Sequence, residues 1–177
     1  MMDREQAVLF QAYPCAGICD DDSIVGELLN ELFNGMSSRL FERVREDKGM
    51  AYYVGTTRTL GLQMGMFTFY AGTHPKQVGE VFAEIDHEIA RVKDGNVTEE
   101  ELQRCRTRLK AARLTERQTI ESRALHAALN VTYDLPIDTY TEYASKVDDV
   151  SLQSITAVAQ KIFEDQHSLR LVVGPEH

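Results

Sequence analysis

The sequence has little of what several classes of protein require. Its 177 residues contain no segment that approaches the ~20 consecutive apolar residues of a membrane-spanning helix, so no membrane partner is expected. The net charge of -9 offers no general field to attract nucleic acid or an anionic membrane. Three cysteines, Cys15, Cys19 and Cys105, are too few and too irregularly spaced for a disulfide framework or a four-cysteine zinc site. Reduced cysteines without a catalytic role are therefore expected.

The zinc-peptidase patterns H-E-x-x-H and H-x-x-E-H, which place two imidazoles and a carboxylate on one helix, are also absent. Glu84 and His87 form a lone E-x-x-H. The helix around them should bury a stripe that includes Ile85 and Ile89, which leaves a solvated polar side rather than a metal site. The residues expected on that polar side are Glu84, His87, Glu88 and Arg91. No metal ligand is predicted in this chain.

Other candidate sites have structural explanations. Ser37 and Ser38 lack the pattern of a nucleophile elbow, and Ser37 is well placed to cap a helix. Gly61 and Gly65 flank a predicted hairpin instead of preceding a helix, so a phosphate-binding loop is not supported.

Strand-forming residues occur at the beginning, in the middle and at the end of the chain. Residues 5–13 predict a first strand that stops at Pro14, because proline cannot continue a central ladder. Residues 51–60 and 64–73 flank the short connection GLQ and predict an antiparallel hairpin. The alternating residues 168–174 predict a last strand.

Helical patterns occupy most of the remaining sequence. Apolar spacing, capping residues and terminal glycines predict helices at 23–34, from Ser37 to about Asp47, at 75–94, from Thr98 to about Tyr133 with a break near 115–119, after Pro136, and from Ser151. This order predicts an α+β fold, an antiparallel β-sheet with helices packed on one face. Residues 1–177 are expected to form a single domain, since no linker or repeat interrupts them.

Arg45 and Tyr52 lie on either side of a glycine turn between a predicted helix and a predicted strand. A guanidinium offers fixed donors to a carbonyl or carboxylate, and a phenol offers a donor that strengthens as negative charge develops on oxygen. The two side chains could therefore form a polar clamp. The alternative is structural: Arg45 pairs with an acid and Tyr52 packs in the sheet.

A family resemblance bears on that choice. The stretch GMSSRLFERVREDKGMAY, from Gly35 to Tyr52, resembles the signature S-S-R-L-F…R-E-K-x-G-L-A-Y in the non-catalytic half of insulinase/pitrilysin-family (inverted zincin) zinc peptidases, which include mitochondrial processing peptidase. Met50 where leucine is common, and Tyr53 after the motif tyrosine, are small departures. The order of the other predicted elements resembles the family along most of the chain.

The resemblance implies one half of a two-half clamshell in which only the other half holds zinc. The first helix here, IVGELLNELF, has no histidine, so this chain resembles the metal-free C-terminal domain, and zinc is expected in a catalytic partner half. Matched residue by residue, the family's substrate-contacting pair falls on Arg45 and Tyr52, as auxiliary catalytic residues. In the implied reaction a zinc-activated water attacks a peptide carbonyl, with a glutamate of the other half as base. Tyr52 would hydrogen-bond the carbonyl or oxyanion, and Arg45 would position the peptide backbone or support Tyr52.

The partners implied are the catalytic half and a peptide or unfolded protein substrate. The catalytic half can belong to the same full-length chain or to a separate subunit; Met1 and Met2 directly before a core strand favour the former. A homo-oligomer is a further alternative, as is a structural or partner-binding scaffold of the same fold without peptidase activity. Bacterial cytoplasm, periplasm and an organelle all stay open as locations.

Overall fold

Four strands pair antiparallel in one sheet, in the spatial order β2-β3-β1-β4. The computed structural model describes residues 6–35 and 38–175, apart from the side chain of Thr141. The strands are β1 (Ala7–Ala16), β2 (Ala51–Leu60), β3 (Met64–Thr73) and β4 (Leu169–Val173). Residues 61–63 connect β2 to β3, so the predicted hairpin is confirmed.

The strand β1 continues past Pro14, and the prediction that it stops there is wrong. Pro14 pairs with Met66 of β3, whereas β4 pairs only with the part of β1 from Val8 to Ala12. At Pro14 the strand therefore has a neighbour on one side only. A proline, which lacks the N–H of a ladder bond, is tolerated where a strand has a free edge.

Six α-helices, a π-helical segment and two short 3₁₀ turns, Pro75–Gln77 and Asp165–His167, complete the described fold. The longer helical elements are α1 (Ser23–Phe33), the π-helical segment (Phe41–Asp47), α2 (Val78–Lys93), α3 (Glu99–Glu116), α4 (Ile120–Thr132), α5 (Tyr140–Asp148) and α6 (Leu152–Ile162). The capping box of Thr98 and Glu101 begins α3, and the predicted break separates α3 from α4. Among the described helices, none combines the length and the apolar content needed to cross a membrane.

The helix that precedes β2 is only partly as predicted. Ser37, expected to cap it, lies outside the described residues. Ser38 makes a capping contact instead, since its hydroxyl accepts a hydrogen bond from the Phe41 N–H at 3.2 Å. From Phe41 to Asp47 the backbone forms wider π-helical turns. Such turns are rare and occur frequently at functional sites.

The core lies between one face of the sheet and the helices. Along β3, Phe67, Phe69 and Ala71 are buried while Met64 and Met66 are exposed, as expected when successive side chains point to opposite faces. The rings of Phe67 and Phe69 each pack against Phe33 of α1 and against Phe163, which follows α6. The centroids of these four ring pairs are 5.1 to 6.4 Å apart. The α+β prediction, a sheet with helices on one face, is confirmed.

Candidate functional site

Arg45 projects from the π-helical segment into solvent. Its guanidinium carbon lies 4.9 Å from the centroid of the Phe41 ring, a distance that allows a cation–π contact. Within residues 6–35 and 38–175, Arg45 forms no ion pair with a carboxylate, so the structural alternative in which it pairs with an acid is not observed. Its donors are free to bind another molecule.

Tyr52 is the extra residue of a β-bulge at the start of β2. Ala51 is opposite Thr73 and Tyr53 is opposite Gly72, so Tyr52 has no partner of its own on β3. Its side chain is 52% exposed and forms no hydrogen bond within the described part of the chain. Bulges often occur next to active sites, where they redirect a side chain.

Tyr53, the next residue, takes the packing position in the sheet. Its ring lies against the backbone of Gly72, where an added Cβ would be only 2.3 Å from a ring carbon. The ring also lies beside Tyr70, with 6.3 Å between centroids. The sheet thus uses Tyr53 rather than Tyr52 for cross-strand packing.

The turn between Arg45 and Tyr52 is tied down at both ends. Gly49 adopts a positive φ of 59°, and the Met50 N–H donates to the Val44 carbonyl at 2.9 Å. The hydroxyl of Thr73 donates to the Met50 carbonyl and so ties the turn to β3. Arg45 and Tyr52 therefore sit at the two ends of one fixed turn, and their convergence on a ligand stays a prediction.

Glu84 of α2 contacts the π-helical segment, a role that the sequence did not suggest. Its carboxylate accepts a hydrogen bond from the Arg43 Nε at 2.8 Å and another from the Lys48 Nζ. The Glu84 side chain is only 13% exposed. The hydrogen bonds from Arg43 and then Lys48 are the main reason that the pKa of Glu84 is below its usual value.

Glu88 is fully buried, so its predicted place on a solvated surface is wrong. It accepts hydrogen bonds from Arg91 at 3.1 and 3.2 Å and lies 3.7 Å from the Arg39 Nη1. Spacings of four, three and four residues separate Val81, Ile85, Glu88 and Val92, and they place Glu88 within the buried stripe. This spacing is visible in the sequence and could have indicated that Glu88 is buried.

Arg39, in the S-S-R-L-F stretch, is buried and connects three elements. Its Nη2 donates to both carboxylate oxygens of Glu101, at 2.7 and 2.8 Å, and to the Asn96 carbonyl at 2.7 Å. Burial tends to raise the pKa of Glu101, but the hydrogen bonds from the Thr98 N–H and from Arg39 outweigh it and lower the pKa. This network holds the helix before β2 against α2 and α3.

The described residues contain no candidate metal site, and two of the three cysteine thiols are buried. No group of three or more histidine, cysteine, aspartate or glutamate side chains among them could hold a metal ion. Cys15 and Cys105 are buried, Cys19 is exposed, and all three are free. Burial raises the pKa of Cys105 to about 11 and also raises that of Cys15, so both thiols stay protonated at neutral pH.

A groove of about 730 Å³ lies between α2 and β4. Asp86, Lys93 and Arg170 are among the residues that line it. None of its lining residues belongs to the π-helical segment or to β2, so its size is not a reason to place the functional site there.

A model of the "Peptidase M16 inactive domain" family matches residues 1–109, more than half of the chain. The chain belongs to this family. The inactive domain is 29% identical over 146 residues to YmxG of Bacillus subtilis (strain 168), described as an uncharacterized zinc protease, covering 82% of this chain and 36% of that protein. A zinc protease of Rickettsia bellii, also uncharacterized, is 28% identical over 152 residues, covering 85% of this chain and 36% of its own length.

Solved structures agree with this fold. A protease from Helicobacter pylori superposes with a TM-score of 0.88 at 20% identity, over 97% of this chain and 42% of that one. The peptidase M16 inactive domain from Pseudomonas fluorescens superposes with a TM-score of 0.86 at 20% identity, over 99% of this chain and 42% of that one. The inactive domain spans about a third of the length of the curated relatives it matches. The resemblance to a non-catalytic zinc-peptidase domain is therefore confirmed.

Proposed function

We propose that this inactive domain binds peptide substrate for a zinc endopeptidase whose metal is held by a separate catalytic half. The observation that carries the proposal is the state of Arg45 and Tyr52. Both side chains are exposed, both stand on irregular backbone, and neither is engaged by a polar partner among the described residues. Relatives named zinc proteases, each about three times as long as the matched region, support a catalytic half outside this chain.

The proposed roles follow from the chemistry of the two groups. The Arg45 guanidinium would donate to a backbone carbonyl or carboxylate of the peptide and fix its position. The Tyr52 phenol would donate to the scissile carbonyl, and more strongly to the oxyanion that develops from it. Zinc in the catalytic half would supply the activated water. This chain would therefore contribute binding and charge stabilisation.

Replacing Tyr52 with phenylalanine in the full-length peptidase tests the proposal. Removal of one oxyanion donor typically lowers kcat by about 10²-fold, and we expect a loss of that order for Tyr52→Phe with little change in the folding of the protein. The matched control is Tyr53→Phe, which removes a hydroxyl from the adjacent, 41% exposed tyrosine. We expect Tyr53→Phe to keep the wild-type rate, because phenylalanine keeps the ring that packs on Gly72 and lies beside Tyr70.

Equal rates for Tyr52→Phe and wild type would refute the donor role of Tyr52. Robust, zinc-dependent hydrolysis by this chain in isolation would refute the proposal as a whole, because the catalytic half would then be unnecessary.

A scaffold function is the second candidate, and the outer face of the sheet favours it. Apolar side chains remain exposed there, on the side of the sheet away from the core: Tyr53, Met64, Met66, Leu169, Leu171 and Val173. Exposed apolar patches are typical of surfaces that bind other proteins. A full-length protein that assembles normally but cleaves no peptide, with or without added zinc, would favour this function over the first.

A further inference from the structure

We propose that Glu84 is a positioning residue, which holds the π-helical segment and thereby sets the place of Arg45 for substrate. The inference rests on the proposed function of Arg45. It assigns a role to a carboxylate whose E-x-x-H context resembles half of a metal motif but whose contacts are to two cations.

The geometry of Glu84 is that of a clamp across the segment. Arg43 lies two residues before Arg45 and Lys48 lies three residues after it, and one carboxylate accepts hydrogen bonds from both. Its two oxygens are divided between them, Oε2 to the Arg43 Nε and Oε1 to the Lys48 Nζ. A single side chain of α2 therefore contacts side chains on both sides of Arg45.

Glu84 is itself held in place by the packing of α2. Glu84 stands on α2 between Val81 and Ile85, which are both fully buried, so the helix cannot shift without disturbing the core. Because its pKa is lowered by the two cations, the Glu84 carboxylate stays charged at neutral pH. It can thus keep both contacts under the conditions of an assay.

The buried Val44 and its hydrogen bond with the Met50 N–H hold the core side of the segment, but the exposed side chain of Arg45 has few restraints of its own. Its contact with Phe41 lies within the same segment and therefore cannot fix that segment relative to the rest of the protein. The ion pairs of Glu84 involve half-exposed cations, so their contribution to overall stability is small. Their effect should appear in the position of Arg45, and a misplacement of about 1 Å can lower a rate by up to ~10²-fold.

The test is a double-mutant cycle on kcat/KM in the full-length peptidase. Glu84→Gln keeps the side-chain shape but removes the charge that holds two cations, and we expect a loss of about tenfold. In an Arg45→Ala background, Glu84→Gln should lower kcat/KM no further, because the Arg45 guanidinium that Glu84 positions is already absent. A general structural defect would instead lower the rate equally in both backgrounds.

Asp86→Asn is the matched control on the same helix. Asp86 pairs with Arg170 of β4 at 2.6 Å, accepts a hydrogen bond from Gln11 of β1 at 2.8 Å, and forms no hydrogen bond or ion pair with the described π-helical segment. It should leave kcat/KM unchanged. Amide hydrogen exchange gives a second readout: residues 41–50 should exchange faster in Glu84→Gln than in wild type, and at the wild-type rate in Asp86→Asn. Should Glu84→Gln fold poorly, Arg43→Gln combined with Lys48→Gln removes the same clamp from its other side.

The outcomes separate the two proposals. If Arg45→Ala is impaired but Glu84→Gln keeps the wild-type rate, or loses the same factor in both backgrounds, the positioning role is refuted and the proposed function stands. If Arg45→Ala itself keeps the wild-type rate, the proposed role of Arg45 is refuted and the role of Glu84 falls with it.

Discussion

Replacing Arg39 with methionine should destabilise the protein far more than the loss of a surface charge does. Arg39 is buried, and its guanidinium donates to the Glu101 carboxylate and to the Asn96 carbonyl. Methionine fills much of the same volume but carries no donor. The fully buried Glu88 would then face only Arg91, and Glu101 would keep only its helix-capping contacts.

The size of the effect follows from these remaining contacts. Removing one partner of a buried ion pair costs about 3–5 kcal/mol, since the other charge stays buried without compensation. Because Arg91 remains beside Glu88, and the Thr98 N–H remains beside Glu101 at 2.8 Å, we expect the lower end, about 3 kcal/mol. For a protein of this size that corresponds to a fall in Tm of about 6–12 °C.

Urea unfolding and calorimetry measure this directly. The free energy of unfolding should fall by about 3 kcal/mol for Arg39→Met with an unchanged m-value. The control is Lys161→Met, which breaks an exposed pair with Asp22 and should cost less than about 1 kcal/mol. Adding Glu88→Gln to Arg39→Met should recover part of the loss, because it removes the uncompensated charge. A change below about 0.5 kcal/mol for Arg39→Met would refute the reasoning.

Two further predictions concern ionisation and thiol chemistry. The pKa of Glu101 is lowered in the folded protein, so its contribution to stability is present above the unfolded pKa of about 4.3 and is lost as the pH falls through the lower folded value. Glu101→Gln should therefore flatten the decline of the urea midpoint below about pH 4.5; an unchanged decline would contradict this. A thiol reagent at neutral pH should modify the exposed Cys19 rapidly in the native protein, and Cys105, with a pKa of about 11, only on unfolding. Mass spectrometry of the labelled peptides would decide between this result and equal labelling.

Much of the fold could be predicted from local sequence patterns. The bounds of α1, the capping box of Thr98 and Glu101, and the hairpin over residues 51–73 follow from apolar spacing, caps and turn residues that act within a few positions. The signature around Arg45 and Tyr52 also identified the family correctly.

The structure differs from the sequence-based predictions where contacts between elements that are distant in the sequence determine the outcome. Pro14 is tolerated because β4 pairs with only part of β1, which no local pattern reveals. The spacing along α2 places Glu88 in the buried stripe, but the buried charge is tolerated because Arg39 approaches it from another element, which no local pattern reveals. The bulge at Tyr52 and the contacts of Glu84 likewise depend on which partners the fold brings near. These are tertiary effects, and they override single-residue polarity.

A crystal structure of the full-length peptidase with a bound, uncleaved peptide would test the central claim most directly. We expect the Tyr52 hydroxyl and the Arg45 guanidinium to lie within about 2.6–3.2 Å of peptide oxygens beside the metal of the catalytic half. A peptide bound at that metal with both side chains turned away from it and in contact only with solvent would contradict the account.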